Sequence, residues 1–292
     1  MTNANFRRIR NAVAAVAVTA LIAACAPKSD TASTSAEATT AATACSADSL
    51  QTLTTGKLTI ATGEPAYYPW VIDDKPESGQ GFESAVAYAV AEKLGFAKED
   101  VVWVRTTFDG AITPGAKTFD FNLQQFSITD ERKQAVDFSS AYYSAPQAIV
   151  SLVNSPIAGA TTIAELKKAK LGAGVGTTSL DVIKNVIGTE PSVFNDNAAA
   201  VQALNNGQID GIVVDLPTAF YVSAVQIASE DGVIVGSLPS TGEGDSFGLL
   251  LAKDSPITSC VSGAVDALKA DGTLDQITST WLGADAGIPV LK

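Results

Sequence analysis

The 292-residue sequence has no histidine, one methionine and three cysteines. Without imidazole there is no Ser–His or Cys–His pair to activate a nucleophile, and no histidine to ligate a metal. No Ser-x-x-Lys pattern takes its place. Cations are also scarce, 19 Lys and Arg against 31 Asp and Glu for a net charge of -12. Neither nucleic acid nor an anionic lipid surface suits so acidic a chain as a partner. No apolar run reaches the roughly 18 residues that would span a bilayer. Gly172 and Gly174 lack the third glycine of a dinucleotide fingerprint, and Gly-Lys-Ser/Thr does not occur. Cofactor and metal binding therefore have no support, and acid pairs such as Asp73-Asp74 sit in loop-like sequence as solvated turns.

What is present starts at the N-terminus. Arg7, Arg8 and Arg10 precede an apolar run over 12–24 that ends in small residues, the pattern of a secretory signal peptide. Leu21-Ile22-Ala23-Ala24-Cys25 resembles a lipobox, which predicts cleavage after residue 24 and lipidation of Cys25. An ordinary signal peptide with a chance cysteine is the alternative. Loss of the three arginines takes the net charge from -12 to -15. Residues 30–43 are almost wholly Ala, Ser and Thr, a composition unable to bury enough apolar surface to order itself. Residues 25–56 are thus read as a lipidated cysteine and flexible linker that anchors the body outside the cytoplasm. With Cys25 lipidated, Cys45 and Cys260 remain in an oxidising compartment and predict one disulfide; two buried free thiols are the alternative.

From Lys57 onward strands and helices alternate. Strands are predicted over 58–62, 101–105, 121–126, 170–175 and 209–214, and helices over 83–94, 163–168, 179–187 and 197–204. Phe119-Asp120 leading into Phe121-Asn122 echoes Ile209-Asp210 leading into Gly211-Ile212, as if one helix-turn-Asp-strand unit occurred in each half.

Ser127-Ile128-Thr129-Asp130-Glu131-Arg132 reads as a strand end, a polar turn and a short helix with a cation in its first turn. The helix dipole disfavours a cation there. Arg132 suits either of two arrangements: a surface pair with Asp137 or Glu131, or a fork that grips a small carboxylate beside the hydroxyls of Ser127 and Thr129. Asp215 ends the apolar run Ile212-Val213-Val214 and precedes Leu216-Pro217. It suits an N-cap, an ammonium receptor, or both. Gly176-Thr177-Thr178 joins a strand to a helix, where amides and hydroxyls either receive an anion or simply start the helix.

Ser127-Ile128-Thr129-x-x-Arg132, followed by Asp137-Phe138-Ser139 and Tyr142-Tyr143, resembles the signature of family 3 solute-binding proteins, the amino-acid receptors of ABC importers. Gly56-Lys57-Leu58-Thr59-Ile60, Gly81-Phe82-Glu83, Gly176-Thr177-Thr178-Ser179, Ala270-Asp271-Gly272-Thr273 and Trp281-Leu282-Gly283 extend the resemblance in order along the chain. It implies an α/β, two-lobe periplasmic-binding-protein-like fold of type II, with a ligand cleft between the lobes. The chain would cross between lobes near 147–152 and 245–250, giving lobe 1 as 57–149 plus 246–292 and lobe 2 as 150–245. The implied partners are a small amino acid and an ABC permease in the membrane, and the protein would act as a monomer. Ligand contacts fall on Arg132, Ser127, Thr177 and Thr178 for a carboxylate and on Asp215 for an ammonium. Tyr67 and Phe108 would be aromatic walls, with Glu64 reading the ligand side chain. The sequence departs from the family at Gln124-Gln125, where small residues are common, so Gln125 is expected to narrow or re-line the pocket. Two rivals share the scaffold: a cyclohexadienyl dehydratase-like enzyme with Glu64 or Asp181 as the acid, and an amino-acid sensor.

Overall fold

The computed structural model describes residues 45–227, 231–239, 246–283 and 288–292. The leader over 1–24, Cys25 and the tether up to residue 44 lie outside the described residues. Among those described, no helix is long and apolar enough to cross a membrane.

Strands β1 (Leu58–Gly63), β2 (Val101–Thr106), β3 (Phe121–Asn122) and β4 (Val136–Ser144) belong to a first sheet. A second sheet holds β5 (Gln147–Leu152), β6 (Leu171–Gly174), β7 (Ser192–Phe194), β8 (Gly211–Asp215) and β9 (Gly232–Ser237), after which β10 (Ser246–Ala252) returns to the first. The orders are β2-β1-β3-β10-β4 and β7-β6-β8-β5-β9. In each sheet three strands run parallel, and the next, β10 or β5, is antiparallel to its neighbours on both sides. Every residue of β1 is buried, as expected of a parallel strand covered on both faces.

The sequence echo has a structural counterpart. Asp120 donates its amide to the Thr59 carbonyl and accepts the Thr59 amide on its carboxylate, both at 2.7 Å. Asp210 makes the same pair with Lys170, also at 2.7 Å. In both sheets an aspartate thus ties the entry of the third parallel strand to the first.

The first core gathers Leu58, Phe82, Val86, Phe121, Leu249 and Val265. The helix Phe82–Lys93 starts at Gly81, where φ is 102° and a Cβ would stand 2.5 Å from the Trp70 carbonyl oxygen, so only glycine allows the approach. Ile149, Leu171, Ile183 and Val213 centre the second core.

Several expected boundaries shift. The first crossing falls at Ala145-Pro146, so 147–152 lies wholly in the second sheet. The second runs from β9 to β10, and Asp245 is outside the described residues. Residues 288–292, read as lobe 1, bind the second sheet instead: the Ser237 amide donates to the Pro289 carbonyl, the Leu291 amide donates to the Ser237 carbonyl, and Leu291 is buried there. Part of the expected linker is also structured, because Cys45, Ala47 and Leu50 pack on the first core and Cys45 is disulfide-bonded to Cys260. The strand expected over 121–126 ends at Asn122, since Gln125 takes a left-handed φ of 53°. The helix expected over 179–187 is α-helical only over Thr178–Asp181 and widens to a π-helix over Val182–Ile187. β4 was not legible as a strand because its pairing with β10 is twice interrupted, which destroys the alternation of buried and exposed residues.

Candidate functional site

A cavity of about 460 Å³ opens between the sheets, lined by the C-terminal ends of β1, β6 and β8 and the turns that follow them. Glu64, Tyr67, Phe108, Gln125, Ser127, Arg132, Thr177, Thr178 and Asp215 all line it, so the structure brings the expected site residues to one place. Asp181 is exposed and outside the lining.

Arg132 opens a short 3-10 turn, Arg132–Gln134, and is only 9% exposed. The surface pair with Asp137 does not form, because Asp137 is engaged by Lys253 and Thr258, each at 3.1 Å. Arg132 Nη1 instead donates to the Ser127 carbonyl at 2.7 Å and Nη2 to the Gly176 carbonyl of the other lobe at 2.8 Å. Its guanidinium carbon lies 5.4 Å from the centre of the Phe108 ring, itself stacked on Phe126 at 4.7 Å. These contacts fix the plane of the fork and leave other guanidinium N–H groups for a ligand. Burial pulls the arginine down to about 10, opposed by the charges of Asp215, Asp181 and Glu131, so it stays cationic at neutral pH.

Asp215 ends β8 at the N-cap position of the helix Leu216–Tyr221, yet its side chain makes no capping bond. Pro217 in the first turn removes a donor that capping would have used. The carboxylate accepts from Gln147 Nε2 at 2.6 Å, and Gln147 Oε1 accepts from Ser179 at 2.5 Å. Gln147 therefore orients Asp215, a role not visible in sequence. Of the glycine-threonine turn, Thr177 caps back onto the Gly174 carbonyl at 2.8 Å, while Thr178 meets Ser127 across the cleft at 3.2 Å. Trp70 Nε1 donates to Thr218 Oγ1 at 2.9 Å, also across the cleft.

The family model for bacterial extracellular solute-binding proteins, family 3, matches residues 58–284. This chain belongs to that family. Its relatives include a probable histidine-binding protein of Campylobacter jejuni, 31% identical over 78% of this chain and 86% of that one. An L-arginine-binding protein of Pseudomonas aeruginosa is 29% identical over 76% of this chain and 86% of its own. The solved structure of an ancestral arginine-binding protein bound to arginine is 30% identical with a TM-score of 0.65, covering 78% of this chain and 99% of that chain.

Within this solute-binding protein, carboxylates dominate the cleft. Glu64, Glu83, Asp109, Asp196 and Asp215 line it with Arg132 as the one cation among the described lining residues. Tyr67 adds a buried hydroxyl with no hydrogen-bond partner among the described residues, and burial, then Asp196, push it up to about 12, so it remains a donor.

Glu83 was not legible as a site residue. It sits in the first turn of its helix, 1% exposed, and accepts from Tyr142, from the Gln125 amide at 2.8 Å and from Gln125 Nε2 at 2.5 Å. Burial pushes its carboxyl from 4.5 up to about 7 against those bonds. The folded protein thus holds a proton that the unfolded chain releases, and this group's contribution to stability falls as pH rises from about 4.5 to 7. Glu83→Gln should flatten that part of the profile. Urea unfolding at pH 5 and pH 8 is expected to show the variant gaining on the wild type by roughly 3 kcal/mol across the interval; an unchanged gap would mean the carboxyl titrates normally.

Proposed function

We propose that this chain is the extracytoplasmic binding subunit of an ABC importer for a polar amino acid, anchored by a lipid on Cys25 and handing its ligand to a membrane permease as a monomer without chemistry of its own. The observation that carries the reading is that Arg132 from one lobe and Asp215 from the other line the same cavity. An amino acid presents a carboxylate and an ammonium two bonds apart, and these two side chains match its ends. The carboxylate lies against the free N–H groups of Arg132 and the hydroxyls of Ser127 and Thr178, and the ammonium against Asp215, held by Gln147. The side chain then faces Tyr67, Glu64, Asp109 and Asp196. The surplus of carboxylates there favours a cationic side chain, in keeping with relatives named for histidine and arginine. Contacts from both lobes give the closed state its higher affinity, which is what draws the lobes together on binding.

A thermal-shift screen of the mature body against the common amino acids and their deaminated and decarboxylated analogues tests this. A ligand at a hundred times its dissociation constant should add about 2.7 kcal/mol of stability, and removal of either the carboxylate or the ammonium should abolish the shift. No response to any amino acid, or turnover of prephenate or arogenate, would overturn the reading.

A further inference from the structure

We propose that Glu83 sets the ligand preference of the cleft, acting as a positioning residue through Gln125. The inference rests on the amino-acid reading of the cavity. Gln125 lines that cavity with its backbone at φ 53°, a region that a long side chain enters only when the surroundings hold it there. Glu83 is the holder. One carboxylate oxygen accepts the Gln125 backbone amide and the Tyr142 hydroxyl, and the other accepts the Gln125 side-chain amide. Both ends of one residue are thereby tied to a single buried acid.

The tie has a defined reach. Glu83 sits in the first turn of the helix Phe82–Lys93, where its backbone amide donates to the Trp70 carbonyl at 2.9 Å. Phe82, Trp70 and Tyr142 fix the position of that turn through ring contacts. An aspartate there would keep the charge and the helix start but lose a methylene, and could not hold the backbone and the side chain of Gln125 together. Phe126 follows as a buried ring, so the strained turn cannot relax by sliding along the chain. Freed from Glu83, the Gln125 side chain would move within the space a ligand side chain uses. The carboxylate grip at Arg132 is common to all amino acids and lies on other residues. Loss of the tie should therefore reorder ligands and not merely weaken them.

The test measures dissociation constants by calorimetry at pH 8 for the amino acids that the wild-type protein binds, in E83D, Q125A and the double variant. The affinity ratio between the longest and the shortest of those ligands should change by about tenfold in E83D, the loss of one charge-assisted bond. Q125A should show the same reordering, and E83D on the Q125A background should add nothing further. Circular dichroism melts confirm that each variant folds. Equal weakening of every ligand, an unchanged ratio, or additive effects in the double variant would overturn the proposal. A wild-type protein that binds no amino acid would instead overturn the reading on which it rests.

Discussion

Arg132→Ala and Asp215→Ala should each lower affinity for the amino-acid ligand by at least a hundredfold. In the proposed complex both ends of a zwitterion would be withdrawn from water and matched, one by the guanidinium and one by the carboxylate. Deleting either partner leaves a buried charge unmatched, which costs roughly 3 to 5 kcal/mol. Arg132 also bridges the Ser127 and Gly176 carbonyls, so its alanine variant loses a link between the lobes as well. Arg132→Lys separates the two contributions, because lysine keeps the charge but lacks the planar fork that binds a carboxylate twice. It should bind more weakly than wild type and better than alanine. Asp215→Asn keeps the shape and the contact with Gln147 while removing the charge, and is expected to fall close to Asp215→Ala. Calorimetry on folded variants decides the matter, and near-normal binding by an alanine variant would remove that residue from the site.

Reduction of the Cys45–Cys260 bond, or Cys45→Ser, should destabilise the body while leaving ligand affinity unchanged. The bond closes a loop with a sequence separation of 215, for which chain entropy alone gives a value above about 4 kcal/mol, with less often delivered in practice. Cys260 lies in the helix Thr258–Ala270 of the first core, and the bond fastens Cys45, Ala47 and Leu50 to the same core. Neither cysteine lines the cleft. The expected result is a lower denaturant midpoint with the dissociation constant of the wild type. Intact-mass analysis of exported protein after alkylation without reductant provides the independent check: two alkyl groups on these cysteines would show that the bond does not form.

Much of the site was legible because its chemistry is concentrated in short segments. Ser127 to Arg132 and Gly176 to Thr178 each combine turn residues with groups that bind anions, and Asp215 ends an apolar strand in the sequence itself. Arg132 in its unfavourable helix position was a signal because elementary electrostatics gives it no local reason to be there. The partners that orient these groups were not legible. Gln147 comes to Asp215 from a strand 68 residues away, and Gln125 reaches Glu83 across 42 residues. No local pattern marks a glutamine or a glutamate for such a contact.

The sequence by itself determined the alternation of strands and helices, the twofold echo around Asp120 and Asp210, the family, and the list of groups able to meet an amino acid. Those follow from local propensity, apolar periodicity and side-chain chemistry, all written within a few residues. Only the tertiary structure decided which arrangement each ambiguous residue adopts. Arg132 is buried against Phe108 and not paired with Asp137, Asp215 faces the cleft and does not cap its helix, and residues 288–292 cross to the second sheet. Each of these outcomes depends on desolvation and on competition among partners distant in sequence, and both quantities exist only once the two sheets have formed.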